Sequence, residues 1–283
     1  MLALVRAFMR VLSTIAPGRA AQLAEWFWFR VPPAKRSEEG EAFLATGERF
    51  TVAVNGRDVA AWHWGRRDQP AVLLMHGWGG NAGQFRSIIE EIVKRGGSAV
   101  TFDALSHGHS AAGTRGPRAA TLFEFGDALS AVAQEVRGPT AVVAHSGGCA
   151  AVAWAMHANP SWTVPRLVFI APFGRISRYL AQFQQLLALS DEVVRRFRAN
   201  TEKEFNFQWE ELEVPDLARQ MKTPPILVVH DREDKETAYQ DGADIASSWP
   251  NSRLLSTEGL GHNRILRDPA VVSEIVGFVL GAS

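Results

Sequence analysis

The stretch Ala141-Val142-Val143-Ala144-His145-Ser146-Gly147-Gly148-Cys149-Ala150-Ala151 decides how this chain is read. Its first three residues form an apolar run that reads as a buried strand. The small residues 149–153 read as a helix, so the backbone must turn sharply at Ser146. A serine at such a turn holds a strained conformation, and strand and helix pass so closely that only small residues fit two before and two after it. Gly148 and Ala144 meet that demand, with Ala144 standing where the pattern Gly-x-Ser-x-Gly has its first glycine. An ordinary serine-glycine turn after a buried strand gives the same letters. The rest of the chain must therefore supply the partners that a reactive serine needs.

Short unbroken apolar runs recur at residues 71–75, 99–102, 141–144, 167–170, 226–229 and 254–255, and helical spacing fills 85–94, 122–136 and 271–280 between or after them. Continuous apolar strands alternating with helices mean a parallel sheet covered on both faces. Ahead of them Phe50, Val52 and Val54 alternate with polar or small residues, Asn55-Gly56 supplies a tight turn and residues 59–64 return, which predicts a β-hairpin. From Phe173 to about Val214 no strand-like run occurs, only helical pieces at 179–189 and 193–197 that are rich in aromatic residues. The expectation is a small helical cap (173–214) inserted after the sixth strand, over the C-terminal ends of the strands where open α/β sheets bind ligands. Most of its aromatic residues are expected to be the cap's own core. The remainder divides into N-terminal amphipathic helices with a linker (1–41) and an α/β core (42–172 and 215–283).

Lys and Arg total 30 and balance 30 Asp and Glu, so no global field favours nucleic acid or an anionic membrane. The single cysteine, Cys149, excludes an internal disulfide and fits a reducing, cytoplasmic setting; the preferred reading of it is a small buried hydrophobe. In residues 1–15, Val5, Phe8, Met9 and Leu12 stand opposite Arg6, Arg10 and Ser13, the spacing of an amphipathic helix. The arginines interrupt it far short of the roughly 20 apolar residues that span a bilayer, and their position is wrong for a signal peptide. Pro17-Gly18 ends this helix and a second, carrying Trp26 to Phe29, follows. Packing of both helices on the domain is preferred over interfacial contact with a membrane. Residues 32–41 read as a polar, proline-led linker.

A serine hydroxyl needs a base, a partner that orients the base, and donors for the developing oxyanion. Two N–H groups are expected as donors: Gly147, just after the serine, and Trp78, in the glycine-rich turn His76-Gly77-Trp78-Gly79-Gly80 that ends the strand at 71–75. The base is sought on a late loop. His262, in Glu258-Gly259-Leu260-Gly261-His262 after the last strand, fits; His63 and His157 read as structural, His76 as a brace of the oxyanion loop, and His145 as pointing away from Ser146. His107-Gly108-His109 has zinc-like spacing, but no acidic residue follows at 110 or 111 and no third histidine follows directly, so neither a metal nor another cofactor is expected. The acid should follow a strand between serine and histidine. In His230-Asp231-Arg232-Glu233-Asp234, Asp234 is favoured because it lies far enough into the loop to turn back toward His262; Asp231 and Glu233 compete, and Asp103 more distantly.

These residues together resemble the α/β-hydrolase superfamily from about Phe50 onward. The resemblance rests on His76-Gly77-Trp78-Gly79, on Asp103-Ala104-Leu105-Ser106-His107-Gly108-His109-Ser110, on the turn at Ser146, on the Asp234 loop and on Gly261-His262. It implies the α/β-hydrolase fold, an eight-stranded and mostly parallel sheet with helices on both faces, and a triad of Ser146, Asp234 and His262. Departures are Ala144, Ser106 where glycine is common, and His230-Asp231 where the family often has His-Gly. The extra charge of Asp231 is expected to raise a carboxylate pKa near Asp234. The leading expectation is a serine hydrolase acting on small-molecule carboxylic esters with small or medium hydrophobic groups. A serine at the turn argues against dehalogenases and epoxide hydrolases of this fold, which place an aspartate there. Thioester, amide or carbon–carbon cleavage, perhydrolysis and acyl transfer use the same triad and stay open. A non-catalytic binding protein on this fold would usually have lost a triad member.

Overall fold

A computed structural model describes residues 2–33 and 37–281. Two helices, α1 (Leu2–Ile15) and α2 (Pro17–Trp28), come first. There follow α3 (Glu38–Leu44), β1 (Glu48–Val54), β2 (Arg57–Trp64), β3 (Val72–Met75), α4 (Arg86–Lys94), β4 (Ala99–Phe102), α5 (Leu122–Glu135), β5 (Ala141–His145), α6 (Gly147–Ala158) and β6 (Leu167–Ile170). After β6 come α7 (Ile176–Leu187) and α8 (Asp191–Phe205), then α9 (Val214–Leu217), β7 (Ile226–Asp231), α10 (Tyr239–Ser248), β8 (Ser252–Thr257), α11 (Gly261–Arg264) and α12 (Pro269–Leu280). The chain forms two compact units: Val31–Gly174 with Val214–Ser283, built on the sheet, and Met1–Arg30 with Arg175–Glu213, built of helices.

In the sheet unit the strand order is β1-β2-β4-β3-β5-β6-β7-β8. The first two pairings are antiparallel and the rest parallel. The hairpin turns on Asn55 and Gly56, both at positive φ (49° and 76°), the pair of conformations a tight hairpin turn demands. Every residue of β3, β5 and β6 is buried, and the period of two divides them between faces. Leu73, Met75, Val142, Ala144 and Phe169 enter one core; Leu74, Val143, Val168 and Ile170 enter the other. Burial on both faces is why these strands appear in the sequence as unbroken apolar runs. The expected strands fall within two residues of the observed ones, and β7 continues past residue 229 to Asp231, which brings that carboxylate inside the fold.

Two expectations about the N-terminal part need correction. Residues 38–41, assigned to a linker, begin α3: Ser37 Oγ accepts from the Gly40 N–H at 3.0 Å, and three glutamates lie in the first turn, where the helix dipole favours them. Ala34, Lys35 and Arg36 of that linker, and Met1 of the first helix, lie outside the described residues. Within α1, Ser13 is buried, with its hydroxyl donating to the Met9 carbonyl at 2.6 Å, whereas Phe8 is exposed. The buried face of α1 is therefore turned away from the one its apolar spacing suggested.

The helical unit takes residues from both ends of a long sequence gap. Ala20, Ala21 and Ala24 let α2 approach α8 closely, and all three are fully buried. Trp28 meets Phe183, Phe197 and Trp209 edge-on, with ring centroids 5.1, 5.6 and 5.6 Å away. The Trp209 indole donates to Thr201 Oγ1 at 3.0 Å. Such pairs add about 0.5–1.5 kcal/mol each beyond the area they bury. The aromatic residues of the insertion are thus largely occupied in a core shared with α2. No helix among the described residues is long and apolar enough to cross a membrane.

Candidate active site

Ser146 stands between β5 and α6 at φ 53° and ψ −124°, a conformation that costs a non-glycine residue energy. Backbone bonds hold it there. Its N–H donates to the Ile170 carbonyl at 3.0 Å, and its carbonyl accepts from the Cys149 and Phe173 N–H groups at 3.0 and 3.2 Å. The need for small residues is local. A Cβ on Gly148 would lie 2.5 Å from the His76 carbonyl oxygen, and one on Gly77 would lie 2.7 Å from the Ser146 Cβ. Ala144, by contrast, tucks its methyl into the core, so alanine fits where the common pattern has glycine. A Cβ added to Gly147 would be 3.5 Å from the Trp78 nitrogen, so the two expected oxyanion donors adjoin. The Ser146 hydroxyl makes no hydrogen bond among the described residues.

The loop carrying Trp78 is braced by groups that its own segment does not contain. The Ala104 N–H donates to His76 Nε2 at 3.0 Å, which places the imidazole proton on Nδ1, donating to the Gly77 carbonyl at 2.7 Å. By the same logic His107 accepts from the Gly79 N–H at 3.0 Å and donates to the Leu105 carbonyl at 2.9 Å. Asp103 accepts from the Ala82 and His109 N–H groups, both at 2.7 Å. Gly108 is obligatory, because a Cβ there would meet Asp103 Oδ2 at 1.8 Å. The His-Gly-His segment is thus a buttress. His109 pairs with Glu41 at 2.9 Å, and no group of three or more His, Cys, Asp or Glu suited to a metal occurs among the described residues.

Asp234 and His262 meet. His262 Nδ1 lies 2.8 Å from Asp234 Oδ2, which fixes the proton on Nδ1 and leaves the Nε2 lone pair for a base. The Asp234 side chain is fully buried and accepts from the backbone N–H groups of Glu236 and Thr237 at 2.8 and 3.0 Å. Burial acts to raise its pKa, but hydrogen bonds from His230 and His262, the charge of His262 and the Thr237 N–H outweigh this and hold the carboxyl well below the usual range. Asp231 does not repel it as expected. Burial pushes Asp231 upward, yet Thr257 Oγ1 at 2.7 Å, the Leu260 N–H at 2.9 Å and the Glu233 N–H at 3.0 Å prevail, and its pKa too is lowered. Asp231 ties the loop of His262 to the end of β7, which is a structural task.

Two contributors were not legible in the sequence. Thr237 Oγ1 lies within 3.2 Å of His262 Nδ1 and 3.0 Å of Asp234 Oδ2; its place three residues past Asp234 was the only signal. His145 does point away from Ser146, but toward His262. Its Nε2 donates to the His262 carbonyl at 3.0 Å, and its Nδ1 accepts from the Gln84 amide at 3.2 Å. The residue preceding the serine is thus tied to the backbone of the histidine 117 positions away. His63 is occupied with Ser98 Oγ at 2.8 Å. Cys149 is buried and its thiol pushed up by burial, as suits a packing residue.

Burial lowers the pKa of His76 to about 4 and, helped by neighbouring imidazoles, those of His107 and His145 to about 3. A histidine lowered in the folded state binds fewer protons there than in the unfolded chain, whose value is about 6.5. Stability is therefore full above about pH 6.5 and falls as pH drops from there toward 4, by up to about 1.4 kcal/mol per pH unit for each histidine. The expected result is a urea midpoint that is level from pH 7 to 8 and declines steeply between pH 6.5 and 4.5. Equal midpoints at pH 7.5 and 5 would contradict neutral burial of these three rings.

The eight-stranded, mostly parallel sheet with these loops at the C-terminal ends of β3, β5 and β7 is the α/β-hydrolase fold. The chain belongs to the α/β-hydrolase family described as serine aminopeptidase, S33, whose profile matches residues 66–241; a second profile, described as TAP-like protein, matches residues 205–283. No curated protein sequence matches the chain. Among solved structures it is similar to Est1E from Butyrivibrio proteoclasticus, in a structure with ferulic acid bound (18% identity, 82% of this chain and 98% of that one, TM-score 0.66). It is also similar to the esterase RhEst1 from Rhodococcus sp. ECU1013 (16%, 84% and 99%, TM-score 0.60) and to a thioesterase domain from the curacin biosynthetic pathway (15%, 83% and 99%, TM-score 0.58). At these identities the likeness is one of fold.

Proposed function

We propose that this hydrolase cleaves small-molecule carboxylic esters through an acyl-enzyme on Ser146. The observation that carries the reading is the 2.8 Å pair of His262 Nδ1 with the buried carboxylate of Asp234, tied through His145 to the strand that leads into Ser146. Ser146 Oγ attacks the acyl carbon while His262 Nε2 takes its proton, and the Trp78 and Gly147 N–H groups receive the oxyanion. Collapse expels the alcohol, which takes the proton from His262. Water then attacks the acyl-enzyme with His262 again as base, and the acid leaves.

Small or medium hydrophobic acyl or alcohol groups suit the half-buried Trp78 and Phe173, which pack on the core beside the serine turn and offer apolar surface there. The single, buried Cys149 supports a reducing, cytoplasmic setting. The family's description as an aminopeptidase favours a second reading, cleavage of an N-terminal amide by the same residues. A series of p-nitrophenyl esters from acetate to decanoate, run beside aminoacyl p-nitroanilides, separates the two. The ester reading expects turnover across the shorter esters and little on the anilides. Silence on every ester with turnover of the anilides would overturn it.

A further inference from the structure

We infer that α1 is a membrane-contacting helix that seats the protein on an anionic lipid surface. This inference is independent of the reaction proposed above. It reverses the preference drawn from the sequence, because the structure shows α1 with more apolar surface than its packing uses. Met9 and Ser13 are buried, and Val5 and Leu12 are half-buried, on the face toward the rest of the helical unit. Leu4, Phe8, Val11 and Ile15, spaced i, i+4, i+7, i+11, form a second stripe that faces solvent. They are 76, 56, 58 and 74% exposed. A helix that merely packs on its domain carries polar residues there.

Charge identifies the occupant. Arg6 and Arg10 are exposed on the side of α1 away from the stripe, where they border a groove with Ala181 and Gln184 of α7; α1 holds no Asp or Glu, and neither arginine has an ion-pair partner among the described residues. Residues 2–30 contain four arginines (Arg6, Arg10, Arg19, Arg30) against Glu25 alone, a local excess of three positive charges in a chain whose net charge is zero. On α2, Trp26 is half exposed with the Arg30 guanidinium 4.4 Å from its ring centre. An apolar stripe opposed by an arginine-bearing polar face without acidic residues is the composition of helices that lie in the lipid interface. The positive charge behind the stripe attracts anionic headgroups across the width of one helix, about 10 Å, a distance over which charges still act at low salt, while the stripe enters the acyl boundary. A second copy fits poorly: the stripe spans about 16 Å, four side chains wide, and a two-fold contact through it would bring like-charged helices together.

The test is sedimentation of the full chain with vesicles. Binding is expected to phosphatidylglycerol–phosphatidylcholine vesicles at low salt, at least tenfold weaker to phosphatidylcholine alone, and falling as salt is raised. Phe8→Glu with Val11→Glu should abolish it, and Arg6→Gln with Arg10→Gln should remove the preference for phosphatidylglycerol. Since these side chains are exposed, the variants should keep the wild-type circular dichroism and its rate on a soluble aryl ester. Absence of vesicle binding, equal binding to both lipids, or unchanged binding by the Phe8/Val11 variant would each overturn the inference. So would a wild-type dimer that the Phe8/Val11 variant converts to monomer without any vesicle binding, which would assign the stripe to a second copy.

Discussion

Ser146→Ala is expected to lose all labelling by a fluorophosphonate and to lower kcat on an aryl ester by about 10⁴–10⁶-fold. The loss should be chemical and not structural. The hydroxyl makes no hydrogen bond among the described residues, and the turn is held by backbone bonds to Ile170, Cys149 and Phe173 that alanine keeps. Alanine bears the same strain at φ 53° as serine, so the thermal midpoint should stay within a degree or two of wild type. A residual rate about 10³-fold over water would come from the Trp78 and Gly147 N–H groups, which the substitution leaves in place. Labelling of the variant at the wild-type rate would remove Ser146 from the reaction.

The fold was legible because its information is local. Strands buried on both faces must be apolar at every position, and β3, β5 and β6 announce themselves by that alone. The pairing of His262 with Asp234 was legible for a different reason: strand order in an α/β sheet sets which loops meet, so position in the chain stands in for position in space. What escaped were bonds between distant segments with no local signature. Gln84 and His145 acquire their roles through partners 61 and 117 residues away. Asp231 looked like an electrostatic liability because its sequence neighbours are charged; its spatial neighbours are a hydroxyl and N–H groups. The facing of α1 was misread because apolar residues cover more of that helix than its packing requires, and periodicity cannot say which part of a wide apolar arc is buried.

Asp234→Asn is expected to lower kcat by about 10⁴-fold with KM little changed. Asp234 Oδ1 accepts from two backbone N–H groups, at Glu236 and Thr237, and Oδ2 accepts from His262 Nδ1 and Thr237 Oγ1. An asparagine has one oxygen. The two fixed N–H groups will claim it, because an NH₂ aimed at them would leave buried donors facing donors. The NH₂ then faces His262, whose Nδ1 must turn acceptor, so the proton moves to Nε2 and the lone pair that should receive the Ser146 proton is gone. The signature is a lost downfield Nδ1–H resonance for His262 in a protein that still folds. Asp231→Asn supplies the contrast. That side chain accepts no hydrogen bond from a histidine among the described residues, and removing one of its acceptors undoes a bond to the loop of His262. It should therefore lower the urea midpoint, by about 1–3 kcal/mol of stability, while costing far less turnover. If Asp234→Asn kept activity within tenfold of wild type, or if Asp231→Asn were the more damaging to kcat, the acid would have to be reassigned.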